Sequence, residues 1–214
     1  MPRVDFPLYV ITDRHQTLGR PLLTLLRQAL GAGVRAVQLR EKDLETRALV
    51  DLASELLCLT REQGAVMLVN DRVDLVLALG ADGVHLRSDS MPVSAARRLL
   101  GPERLVGASA HSAEAVVRAE LEGADFAVLG PVYQTASKRS YGAPIGLHPI
   151  EEASWRCRIP VFAIGGITPA RVGEVRQAGA FGVAVISSVL SAADVESATR
   201  QLLGAIAAGQ GGSR

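Results

Sequence analysis

One short phrase recurs along the chain, each time between a helical pattern and a strand-like run. It appears as Gly31-Ala32-Gly33, Gly80-Ala81-Asp82-Gly83, Gly123-Ala124-Asp125 and Gly179-Ala180-Phe181-Gly182. Glycine just past a helix end accepts the left-handed conformation that closes the last turn. Its repetition means that one helix-to-strand connection is reused. Strand-like apolar runs occupy residues 8–12, 36–40, 66–70, 83–86, 105–109, 126–130, 161–165 and 182–187. Helical patterns follow each in turn, for example at 44–61, 92–100, 113–122 and 169–178. Such alternation specifies a parallel sheet covered by helices. Eight units in 214 residues leave roughly 27 residues each, which suits a single-domain (β/α)8 TIM barrel. The rival is an open doubly wound sheet; eight regular units without a long insertion favour closure. The barrel is read over residues 1–208, and the Gly-rich polar tail 209–214 is expected to be disordered.

Charge is nearly balanced, with a net of +1 and a pI near 7.9. No global field therefore attracts nucleic acid or an acidic membrane, and any anion site must be local. The cysteines Cys58 and Cys157 show neither metal spacing nor a disulfide framework. Cys58 falls at an apolar position of a helical run and is expected in the core. No secretory leader pattern opens the chain and no apolar run approaches a membrane span. A cytoplasmic enzyme or binding protein is expected, with assembly into a homo-oligomer left open.

In a barrel of this kind, chemistry sits at the C-terminal ends of the strands. Polar residues concentrate there. Gln38, Arg40 and Lys42 stand at alternate positions, so they share one face at the tip of the second strand. The other strands end in Thr12-Asp13-Arg14, Asn70-Asp71-Arg72, His85-Leu86-Arg87-Ser88-Asp89, Ser109-Ala110-His111, Gly130-Pro131, Gly165-Gly166 and Ser187-Ser188. The strand starts are plain by comparison. Both rims of a barrel meet water, so solvation alone does not explain the asymmetry.

The last two units carry the clearest chemistry. Ala163-Ile164-Gly165-Gly166-Ile167-Thr168-Pro169 places two glycines between a strand and a helix, where backbone N–H groups can approach an oxyanion. With Ile186-Ser187-Ser188 opposite, this forms the usual phosphate site of the fold. Thr135, Ser137 and Lys138 add two hydroxyls and a cation on a long, turn-rich loop over 132–146, which reads either as a lid or as an ordinary solvated loop. Asp71 is either a hard-cation ligand or the N-cap of the helix starting near Val73. His111 is either an acid–base group or a cap, and His85 reads as a structural histidine with its hydrogen bonds satisfied.

Together these residues resemble the thiamine-phosphate synthase and thiazole tautomerase superfamily. The resemblance runs from Tyr9-Val10-Ile11-Thr12-Asp13 to Val185-Ile186-Ser187. It rests on Gln-x-Arg-Glu-Lys, Asn-Asp-Arg, Gly-Val-His-Leu, Gly-Pro-x-Tyr-x-Thr-x-Ser-Lys and Ala-Ile-Gly-Gly-Ile, all in order. It implies a synthase that joins hydroxymethylpyrimidine diphosphate to thiazole phosphate and releases pyrophosphate by a dissociative route. By that resemblance Arg40, Lys42, Asn70 and Lys138 hold the diphosphate, while Gln38 and Ser109 face the pyrimidine and its leaving group. Thr135, Ser137, Gly166, Ile186 and Ser187 hold the thiazole phosphate, and Asp71 binds Mg2+. The residues taken as catalytic are Lys42, Lys138, Ser109 and His111.

One departure stands out. The synthase pattern His-Leu-Gly-Gln-x-Asp carries a second metal ligand at its last position. Here Ser90 stands at that position, Asp89 comes one residue early, and Arg87 replaces a glycine and adds a cation. The sister activity is a thiazole tautomerisation, with His111 of Ser109-Ala110-His111-Ser112 as acid and base. A third reading is a catalytically silent regulator that binds phosphorylated ligands.

Overall fold

A computed structural model describes residues 4–134 and 143–209. Thr135, Ser137, Lys138, most of the turn-rich loop and nearly all of the Gly-rich tail lie outside the described residues.

Eight parallel strands close a barrel in sequence order: β1 (Leu8–Ile11), β2 (Ala36–Leu39), β3 (Val66–Asn70), β4 (Gly83–Leu86), β5 (Leu105–Ala110), β6 (Phe126–Leu129), β7 (Val161–Ile164) and β8 (Gly182–Val185). The last strand pairs with the first, with Tyr9 opposite Ala184. Around them lie α1 (Leu22–Gly31), α2 (Thr46–Glu62), α3 (Val73–Leu79), α4 (Val93–Leu100), α5 (Ala113–Leu121), α6 (His148–Arg156) and α7 (Pro169–Gln177). The short α8 (Ser187–Leu190) follows β8, and α9 (Val195–Ala208) packs between α7 and α1 to complete the ring.

The repeated phrase closes helices as expected. Gly33, Gly80, Gly123 and Gly179 all have φ between +67° and +115°. In the first copy Gly33 takes this role while Gly31 stays helical. The aspartates of the phrase tie neighbouring strands. Asp82 accepts from the Met67 backbone N–H at 2.7 Å, and Asp125 from that of Val106 at 2.7 Å.

Alternation along the strands sorts side chains into two cores. Outward residues such as Val10, Val37, Val69 and Val84 pack under the helices. Inward residues fill the barrel, with Phe6, Tyr9, Phe126 and Phe162 at its centre. Ring centroids there stand 5.4–5.8 Å apart for Phe126–Phe162 and Phe6–Tyr9. Gly107 makes room for them, since a Cβ there would overlap the Phe126 ring and lie 2.7 Å from His85 Nδ1. Above this aromatic floor the inward positions of β2 to β5 turn polar, while those of β1 and β6 to β8 stay apolar.

Two expectations fail. Cys58 is exposed on α2, because its position falls on the helix face turned from the barrel. Ser187 is not in a strand: β8 ends at Val185, and Ser187 is the first residue of α8.

Candidate active site

The inward row at the strand tips reads Ile11, Gln38, Asn70, His85, Ser109, Val128, Ile164 and Ile186, and all eight line one cavity of about 330 Å³. Arg40, Lys42, Arg87, Asp89 and His111 stand around its mouth. Gln38, Arg40 and Lys42 all line the cavity, although β2 ends at Leu39 and Arg40 and Lys42 lie in the segment after the strand. Gln38 is buried and donates from Nε2 to the Tyr9 hydroxyl at 3.2 Å. Burial pushes the Tyr9 phenol well above its ordinary pKa, so it stays protonated and fixes the amide. Arg40 is held by its backbone N–H, which donates to Thr12 Oγ1 at 2.8 Å.

His85 differs from the expectation of a fully satisfied side chain. Its Nε2 lies 3.0 Å from Ser109 Oγ, but its buried Nδ1 has no hydrogen-bond partner among the described residues. Burial, aided by the charge of Arg40, lowers its pKa to about 3, so the ring is neutral. His111 places Nδ1 2.6 Å from the Gly130 carbonyl oxygen. A carbonyl only accepts, so this nitrogen carries a proton, and in the neutral ring the lone pair is on Nε2.

Asp71 is not a helix cap. The N-cap of α3 is Arg72, without a side-chain cap bond. Asp71 has φ +59°, a left-handed backbone uncommon for a residue with a side chain. Its carboxylate turns along the rim: Oδ1 accepts from the Arg87 backbone N–H at 2.9 Å, and Oδ2 accepts from Asn70 Nδ2 at 3.1 Å. Asp89, despite its shift of one residue, reaches the same place. The Arg87 guanidinium contacts Asp89 at 2.9 and 3.1 Å and Asp71 at 3.1 Å.

A second cavity, of about 570 Å³, is lined by Gly165, Gly166, Thr168, Arg171, Ser187 and Ser188 among others. Ile164 and Ile186 line both cavities, so the two adjoin as neighbouring lobes with these side chains as their common wall. Gly166 has φ +66°, and a Cβ there would lie 2.9 Å from Tyr133 Cβ. Gly166 and Ser187 therefore meet in one lobe as expected. Arg171 was not anticipated. It donates from Nη1 to the Gly166 carbonyl at 2.7 Å and lies 4.4 Å over the Tyr133 ring. The signal was available: α7 has no acidic residue in its first turn, and a cation there opposes the helix dipole unless an anion is close.

The described residues contain no group of three or more His, Cys, Asp or Glu side chains positioned for a metal. Asp71 and Asp89 supply two carboxylates, which suffices for Mg2+ when substrate phosphates complete its shell. Their oxygens already converge on one cation, the Arg87 guanidinium. The donor set fits the metal in type and convergence, provided Arg87 moves aside.

The sequence of residues 8–189 matches the thiamine monophosphate synthase family. The chain belongs to this family. A thiamine-phosphate synthase from Moorella thermoacetica is 45% identical over 202 residues, covering 94% of this chain and 95% of the relative. One from Roseiflexus castenholzii is 46% identical, covering 91% and 86%. The solved thiamine phosphate pyrophosphorylase of Pyrococcus furiosus superposes with a TM-score of 0.86 at 39% identity, covering 95% of this chain and 96% of the other. Among the described residues, no helix of this family member is long and apolar enough to cross a membrane.

Proposed function

We propose that this thiamine-biosynthesis transferase couples hydroxymethylpyrimidine diphosphate with thiazole phosphate, giving thiamine phosphate and pyrophosphate. The observation that carries the reading is the pair of adjoining lobes. One lobe is cationic, with Arg40, Lys42 and Arg87; the other is lined by glycine and serine; Ile164 and Ile186 lie between them. Two phosphorylated substrates then lie side by side with little water between the reacting atoms.

The bond from the pyrimidine methylene carbon to the diphosphate oxygen breaks, and its electron pair leaves with pyrophosphate. The thiazole nitrogen then attacks the pyrimidine-stabilised cation and forms the C–N bond. Arg40, Lys42 and Asn70 hold the departing oxygens, joined by Lys138. Positive charge placed where negative charge grows is the chief device such a reaction needs. Gln38 and Ser109 orient the pyrimidine. Gly166 and Ser187, with Thr135 and Ser137, hold the thiazole phosphate, and Arg171 adds a nearby cation. Asp71 and Asp89 would hold Mg2+, which supplies further charge neutralisation to the leaving group. The compartment is proposed to be the cytoplasm.

His111 supports a second activity. With Nδ1–H bonded to Gly130, the neutral ring presents Nε2 as a proton acceptor at the cavity, as a thiazole tautomerase requires. Product analysis with each substrate set separates the two. Thiamine phosphate and pyrophosphate appearing together supports the synthase; tautomerisation alone, lost in His111→Ala, supports the isomerase. Ligand binding without either product refutes both and leaves a silent phosphate binder.

A further inference from the structure

Asp71 and Asp89 reach toward one point, and an arginine occupies it. Arg87 Nε lies 3.1 Å from Asp71 Oδ2 and 2.9 Å from Asp89 Oδ1. Nη2 adds a contact of 3.1 Å to Asp89 Oδ2, and the Arg87 backbone N–H takes the other oxygen of Asp71. A single residue therefore ties down all four carboxylate oxygens. A guanidinium and Mg2+ ask for different spacings. The planar fork holds oxygens at about 2.7–2.9 Å from nitrogen, whereas Mg2+ draws them to about 2.0–2.1 Å. They cannot share the pair.

We propose that Arg87 is a resident competitor for a divalent cation at the Asp71–Asp89 pair, with guanidinium and metal occupying the two carboxylates in turn. This rests on the synthase reading only in supposing that a metal is used. The Arg87 side chain is 42% exposed and lines the cavity, so it has room to leave. A diphosphate in the cationic lobe offers it a second anion. Metal loading is weak while Arg87 holds the carboxylates and strengthens when the substrate draws it away. Each favours the other because both act on the same side chain.

Metal binding without turnover tests this. Mn2+ is titrated by calorimetry into the substrate-free protein as wild type, Arg87→Ala and the double variant Arg87→Ala/Asp89→Asn, with thermal melts as the folding control. Arg87→Ala is expected to bind Mn2+ at least about fivefold more tightly than wild type. Adding Asp89→Asn is expected to erase the gain. Should Arg87→Ala fail to fold, the neutral, near-isosteric Arg87→Gln replaces it in both comparisons. Equal or weaker affinity without the arginine, a gain that survives Asp89→Asn, or no binding in any variant overturns the proposal. Loss of thiamine phosphate synthesis alone does not, since the synthase reading fails independently of this exchange.

Discussion

His85 Nε2 and Ser109 Oγ meet at 3.0 Å on adjacent strands, in the inner wall of the cationic lobe. The ring that makes this bond is neutral, because burial and the charge of Arg40 lower its pKa from 6.5 to about 3. In the unfolded chain the same imidazole takes up its proton near 6.5. Between those values the unfolded state binds more protons, so acid favours unfolding. Stability should fall by about 1.4 kcal/mol per pH unit as pH drops below 6, from this group alone. Urea unfolding between pH 4 and 7, wild type against His85→Asn, measures it. A slope no steeper in wild type than in the variant contradicts the neutral assignment.

Lys42 and Asp71 are assigned to the leaving group from the loops after two neighbouring strands, β2 and β3. Lys42→Ala and Asp71→Ala should each raise the barrier of the chemical step by roughly 2–4 kcal/mol, as loss of preorganised charge does elsewhere. Single-turnover rates check this, and near-normal rates in both variants contradict the assignment.

Gly166 is constrained from two sides. Its φ of +66° disfavours any side chain, and an added Cβ would press on Tyr133 Cβ at 2.9 Å and on the Gln134 carbonyl oxygen at 3.0 Å. Gly166→Val should weaken thiazole phosphate binding and also lower the melting temperature, by the few degrees that about 1–2 kcal/mol of backbone strain implies. Calorimetry and a thermal melt read the two effects separately. Unchanged thiazole phosphate affinity would remove Gly166 from that lobe.

The barrel was legible because its signals are local. Each glycine phrase marks one connection, and each apolar run alternates inward and outward residues. Parity places Gln38 inward, whereas Arg40 and Lys42 follow the end of β2 at Leu39 and reach the same cavity from the loop. What stayed hidden depends on how the rim folds back on itself. Whether Asp71 capped α3 or turned along the rim was decided by its left-handed backbone, which spacing does not reveal. Arg87 was visible as a cation in place of a glycine, but its grip on two carboxylates from different strands was not. The exposure of Cys58 was missed because helical periodicity places a small residue at the edge of an apolar stripe with little certainty. Ser187 was assigned to a strand because Ile186 extends the apolar run of β8 beyond its last pairing.

The central claim is that the two lobes hold two substrates that become one product. The most direct measurement is the stoichiometry of thiamine phosphate and pyrophosphate formed by the purified protein from hydroxymethylpyrimidine diphosphate and thiazole phosphate with Mg2+. The account predicts equal amounts of each, rising together with time. Pyrophosphate without thiamine phosphate, or neither product, would contradict it.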